Sequence, residues 1–130
     1  MAGVLEGRAA LITGAADGIG YGMALRFAKA GGSIVVADFD EQKGAEAAAA
    51  LRDLGARSIF VRCDVTSKDD VQAAVAGCVA EFGTIDVLVN NAYRGRGLQR
   101  IEDKSDDVFE DAMRVCLYAA KWSMEATATI

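Results

Sequence analysis

The chain has 130 residues, 52% hydrophobic and 25% charged, with 14 Gly, no Pro and no His. Without histidine it holds no Ser-His-Asp or Cys-His nucleophile, no His general base and no His-ligated metal, so the expected metal sites are none. A net charge of −5, from 14 Lys+Arg against 19 Asp+Glu, argues against a nucleic-acid partner, and no apolar run approaches the ~20 residues that span a membrane.

Ala9 to Thr13 (AALIT) is a short apolar run ending at Gly14, the pattern of a buried strand. From Gly18 to Ala30, Ile19, Met23, Leu25, Phe27 and Ala28 fit a helix that Gly31-Gly32 closes. Ser33 to Asp38 (SIVVAD) is a second apolar run. Glu41 to Leu54 is an Ala-rich helix with Gly55 as its stop. Ser58 to Cys63 (SIFVRC) gives a third strand. Ser67, with Asp70 three residues on, resembles a capping box and opens a helix through Val71, Val75, Val79 and Phe82 to Gly83. Asp86 to Asn90 (DVLVN) is the fourth strand. A polar loop from Asn91 to Lys104 follows, and Ser105 can cap a last helix towards the C-terminus.

Strands that are apolar throughout, joined by helical connections, predict an α/β fold. The expected form is a Rossmann-like doubly wound parallel sheet with helices on both faces and strand order 3-2-1-4. The first turn, Thr13-Gly14-Ala15-Ala16-Asp17-Gly18-Ile19-Gly20, sits between the first strand and the first helix. There Gly14 permits a tight turn, Gly18 lets a pyrophosphate approach the backbone, and Gly20 lets the helix pack on the strand. The helix N-terminus then offers free N–H groups to the anion. Such turns also serve plain structure, but this position in a βαβ unit favours nucleotide binding. Asp38, 18 residues beyond Gly20, can accept hydrogen bonds from ribose hydroxyls and would repel a 2′-phosphate. NAD is therefore favoured over NADP. Asp38 could instead cap the next helix, a role for which Asp40 is better placed.

These residues resemble the short-chain dehydrogenases/reductases. TGAADGIG, the acid ending the second strand, Cys63-Asp64-Val65 and Asn90-Asn91-Ala92 stand in the family's order, and the likeness runs from about Leu5 to Leu117. The resemblance implies that Asp64 hydrogen-bonds the adenine ring and that Val65 packs against it. It further implies that Asn90, Asn91 and Ala92 line the adenosine side of the cofactor and steady the sheet. Read as structure alone, Asp64 is a loop cap and Asn90 a turn residue. The expected cofactor-binding set is Gly14, Asp17, Gly18, Ile19, Gly20, Asp38, Phe39, Asp64, Val65, Asn90, Asn91 and Ala92.

The sequence also departs from the family pattern. Tyr93 stands where the family usually has Gly, so the loop there is expected to avoid positive φ and take another path. Cys116 occupies the position of a catalytic Asn; a thiol substitutes poorly for an amide, and Cys116 reads as a small buried hydrophobe. The family's acid/base is a Tyr with a Lys four residues on. Tyr21, Tyr93 and Tyr118 are followed at that spacing by Leu25, Gly97 and Trp122, so the 130 residues alone are expected to be inactive, with no catalytic residue of their own. Cys63, Cys78 and Cys116 lack CxxC spacing and read as buried free thiols in a reducing compartment. Arg94, Arg96 and Arg100 form a basic loop that either attracts an anion or is simply solvated. Trp122, with Met113 and Met124, reads as core or interface.

The resemblance implies an NAD-dependent oxidoreductase passing hydride between nicotinamide and an alcohol or carbonyl substrate. Residues 1–130 are then its dinucleotide-binding domain, incomplete at the C-terminus, in a soluble cytoplasmic protein. The fourth strand would lie at an open edge, which predicts poor stability in isolation, homo-oligomerisation, or a chain that is a fragment of a longer protein. The alternative is a non-catalytic nucleotide-binding or interaction protein derived from the family.

Overall fold

A computed structural model describes residues 3–95 and 97–130, so Arg96 of the basic loop lies outside the described residues. Four parallel strands form one sheet in the order β3-β2-β1-β4: β1 (Ala9–Thr13), β2 (Ser33–Asp38), β3 (Ser58–Arg62) and β4 (Val87–Val89). The register places Leu11 beside Val35 on one side and Leu88 on the other. Between the strands run α1 (Gly18–Lys29), α2 (Glu41–Asp53) and α3 (Lys68–Phe82). The sequence reading and the structure share this order and these elements. They differ at the margins: Cys63, Asp86 and Asn90 fall just outside the strands, and α1 and α2 end one residue early.

The alternation of side chains along the strands divides the core in two. Ala10, Ile12, Ile34 and Val36 pack towards α1 and α2, where Ala24, Ala47, Ala48 and Leu51 are buried. The small Ala side chains let these helices lie close to the sheet. Leu11, Val35 and Ala37 pack towards α3, where Val71, Ala74, Val75 and Cys78 close the other face. Asp40 caps α2 by accepting from the Lys43 amide at 3.0 Å, and Ser67 caps α3 by accepting from the Asp70 amide at 3.3 Å. The capping box is only half made. The Asp70 carboxylate is too short to reach back like the usual Glu, and instead accepts from the Asp64 amide at 2.9 Å.

The last helix differs most from expectation. It is not one element but α4 (Asp106–Met113), a wide π turn at Arg114–Tyr118, and α5 (Ala119–Thr127). Ser105 stands at the cap position without a side-chain hydrogen bond. Trp122 and Ala126 pack against the α3 face of the core, and the Trp122 ring centroid lies 5.9 Å from that of Tyr118. Cys116 is exposed, not buried. Val115 takes the inward position on the π turn, and the next residue, about 100° further round, faces outward. Cys63 and Cys78 are buried, and burial pushes their thiols up to about 12 and about 11.

Candidate functional site

The carboxyl ends of the strands open onto a cavity of about 610 Å³. Its wall contains Gly14, Asp17, Ile19 and Gly20 from the first turn, Asp38 and Phe39 from the end of β2, and Asp64 and Val65 from the turn after β3. Asn91 and Ala92 from the turn after β4 complete this part of the wall. Such crevices beyond the strand ends, where strand order reverses, are where ligands bind in open α/β sheets.

The first turn is built for close approach. Gly14 adopts φ +65°, and a Cβ there would come within 2.9 Å of the Ala92 Cα. At Gly20 a Cβ would lie 2.1 Å from the Gly14 carbonyl oxygen, so only glycine lets α1 start this near the turn. Gly18, at φ +56°, has no atom within 4 Å of the place a side chain would take. Asp17 accepts from the Gly18 amide at 2.7 Å and pairs with the Lys43 ammonium at 3.3 Å. The Gly18 amide and then Lys43 hold the Asp17 carboxyl below its ordinary range. The amides of Ile19 and Gly20, in the first turn of α1, have no intrahelical acceptor by position.

Asp38 is fixed from both sides. One carboxylate oxygen accepts from the Ala16 amide at 3.0 Å and the other from the Asp40 amide at 3.0 Å. Asp40, not Asp38, caps α2. Asp64 accepts from both the amide and the hydroxyl of Thr66 through one oxygen, at 2.9 and 2.7 Å. Burial opposes its ionisation, but the Thr66 hydrogen bonds and the charges of Arg94 and Arg62 outweigh burial and hold its carboxyl low. Asp64 thus caps its own turn while lining the cavity.

The turn after β4 ties the site together. Thr13 Oγ1 accepts from the amides of Asn91 and Ala92, each at 3.1 Å. The Asn91 side-chain amide donates back to the carbonyls of Thr13 and Gly14 at 2.9 and 3.1 Å. Asn91 therefore clamps the glycine turn to β4. Asn90 faces elsewhere: it is not among the cavity-lining residues, and its Oδ1 accepts from the Ser123 hydroxyl at 2.7 Å, fastening α5 to the end of β4. Gly18 likewise does not line the cavity. Tyr93 has no positive φ and is exposed on the cavity rim.

Several residues of this site stand outside the expected cofactor-binding set. Cys63, Thr66, Arg94 and Val115 also line the cavity, and Thr13 and Asp70 hold its turns in place. Thr66, two residues after Asp64, fits a side-chain-capped turn and could have been found from spacing. Of the basic loop, Arg94 makes two hydrogen bonds to Asp111, at 3.2 and 2.5 Å, while Arg100 pairs with Glu102 at 3.3 Å in solvent. Among the described residues no cluster of metal-ligating side chains occurs, and no helix is long and apolar enough to cross a membrane.

The family model for short chain dehydrogenase matches residues 8–130. The chain belongs to the short-chain dehydrogenase family. It is 40% identical to a 3beta-hydroxysteroid dehydrogenase 2 of Eggerthella lenta over 114 residues, covering 88% of this chain and 44% of that protein. Among solved structures, a short chain dehydrogenase/reductase from Burkholderia phymatum in complex with NAD superimposes with a TM-score of 0.91 at 32% identity. The superposition covers 97% of this chain and 44% of that one. A 3-ketoacyl-(acyl-carrier-protein) reductase from Brucella melitensis complexed with NADH gives 0.87 at 36% identity, over 93% and 48%. The chain thus spans about half the length of the relatives it matches, or less.

Proposed function

We propose that this chain is the dinucleotide-binding part of an NAD-dependent oxidoreductase that acts on an alcohol or carbonyl substrate. The observation that carries the reading is Asp38. Its carboxylate is held by two backbone amides on the wall of the same cavity that the glycine turn borders. A fixed anion there accepts from ribose hydroxyls and repels a 2′-phosphate, which favours NAD over NADP. The residues present fit the group: side-chain-free backbone at Gly14 and Gly20 lets it approach, and the first amides of α1 can take its pyrophosphate. Asp64 would hydrogen-bond the adenine through its second oxygen, and Val65 would pack against the ring. When bound, the dinucleotide supplies the hydride-carrying nicotinamide.

The Tyr and Lys of the family's acid/base pair have no counterpart at that spacing in these 130 residues, so the proton transfer belongs to groups outside residues 1–130. Residues 1–130 are proposed to act as one Rossmann-like domain in a cytoplasmic, oligomeric protein. Titration of the chain with NADH, followed by nicotinamide fluorescence, tests the assignment. Wild type is expected to bind NADH in preference to NADPH, and Asp38→Ala to weaken NADH at least tenfold while narrowing that preference. Unchanged NADH binding in Asp38→Ala overturns it.

A further inference from the structure

Arg94 follows the turn after β4 and lines the cavity together with Asp64 and Val65. Its side chain is about half exposed. Two of its nitrogens, Nε and Nη2, are taken by the Asp111 carboxylate at 3.2 and 2.5 Å, a two-point grip that fixes the guanidinium plane. Asp111 sits on α4, one turn before Val115, which lines the same cavity. The grip therefore joins the loop after β4 to α4, the helix that leads into the turn carrying Val115. The hydrogen bonds it donates to Asp111, and then the charges of Asp111 and Asp64, hold Arg94 ionised above its ordinary range.

Asp111 takes the Nε/Nη2 edge of the guanidinium, so an anion could be forked only by the outer Nη1/Nη2 edge, with part of the charge already offset by the carboxylate. The two flat faces carry no hydrogen-bond donor, and a flat, weakly hydrated cation stacks well on an aromatic ring. Asp64 and Val65, on the same cavity wall, are where the adenine is placed in the reading above.

We propose that Arg94 is a further dinucleotide-binding residue. Clamped by Asp111, it forms a stacking wall for the adenine ring whose edge Asp64 reads. The inference rests on the dinucleotide reading and adds a base-recognition residue to it. Asp111 acts on the ligand through Arg94, as a positioning residue.

The test is equilibrium binding of NADH, by fluorescence, and of ADP-ribose, by competition, to wild type, Arg94→Gln and Arg94→Lys. Circular dichroism checks that each variant keeps its fold. A stacking wall predicts that Arg94→Gln weakens NADH and ADP-ribose by the same factor, roughly tenfold. Arg94→Lys, which keeps the charge and loses the plane, should weaken them nearly as much, and raising the salt concentration should not abolish the difference. If wild type binds and Arg94→Gln binds ADP-ribose within twofold of it, Arg94 has no such role. Full recovery in Arg94→Lys overturns the stacking wall in favour of plain charge. Absence of NADH and ADP-ribose binding by wild type overturns the dinucleotide reading, and this inference falls with it.

Discussion

β1 and β4 lie side by side in the sheet, paired Ala10 to Val87, Leu11 to Leu88 and Ile12 to Val89, and both are apolar runs. Every residue of β1 is buried, whereas none of β4 is. The cause is position. β1 lies between β2 and β4 with helices on both faces, while among the described residues β4 is hydrogen-bonded to β1 alone. An apolar strand sequence announces a strand, but its depth in the core depends on what stands beside it. The site follows the same division: the glycine turn rests on the deep strand, and Asn90 and Asn91 reach from the shallow one.

The comparison can be broken most directly by truncating the paired leucines. Leu11→Ala removes a side chain 1% exposed and is expected to cost about 3 kcal/mol of stability, against about 1 kcal/mol for Leu88→Ala. Urea unfolding measures both, and equal losses would show that β4 is as deeply packed as β1. The next largest effect concerns the link between the two strands. Thr13→Val keeps the shape but leaves the amides of Asn91 and Ala92 without their acceptor, at a cost of about 2 kcal/mol. Because those amides also set the turn, NADH affinity should fall along with thermal stability; a stable variant with unchanged affinity would uncouple the strands from the site.

The smallest effect lies at the opposite ends of the same two strands. There Asp86 accepts from the Ala9 amide at 2.9 Å and from Arg8 at 2.7 Å. The Ala9 amide first, and then Arg8, hold its carboxyl below the ordinary 3.8. A carboxyl lowered on folding stabilises the folded state fully above its unfolded value, and that contribution fades as pH falls through the lower folded value. Melting temperature should therefore drop as pH falls below about 4, and Asp86→Asn should flatten part of that drop. An identical acid profile in the variant would show that other carboxylates carry the whole effect.

The strands and the first three helices were legible because two signals agreed at each of them: an apolar run of strand length or helical spacing, and a glycine, serine or aspartate at its boundary. Strand order and family followed from that succession and from the motifs. What escaped was set by contacts far apart in the chain. Nothing near Thr13 announces that its hydroxyl holds a turn 78 residues away. Asp70 read as a helix cap, yet it also fixes the Asp64 backbone. Asn90 and Asn91 are adjacent and chemically identical, but where the chain leaves β4 one side chain meets α5 and the other the glycine turn. The apolar character of the Cys116 thiol points to burial, but its place on the π turn next to the inward Val115 decides its exposure.

The π turn at Arg114–Tyr118 makes the end of the chain a separate rotational register. A π turn holds one residue more than an α turn, so everything after Tyr118 is rotated by about one residue's arc, some 100°, relative to the frame that α4 sets. Ser123 meets Asn90 only in that rotated frame. Removing a single residue from the wide turn, Cys116 for instance, would leave a regular helix of nearly the same length, with Ser123 swung off the strand end and Trp122 turned out of the packing against α3.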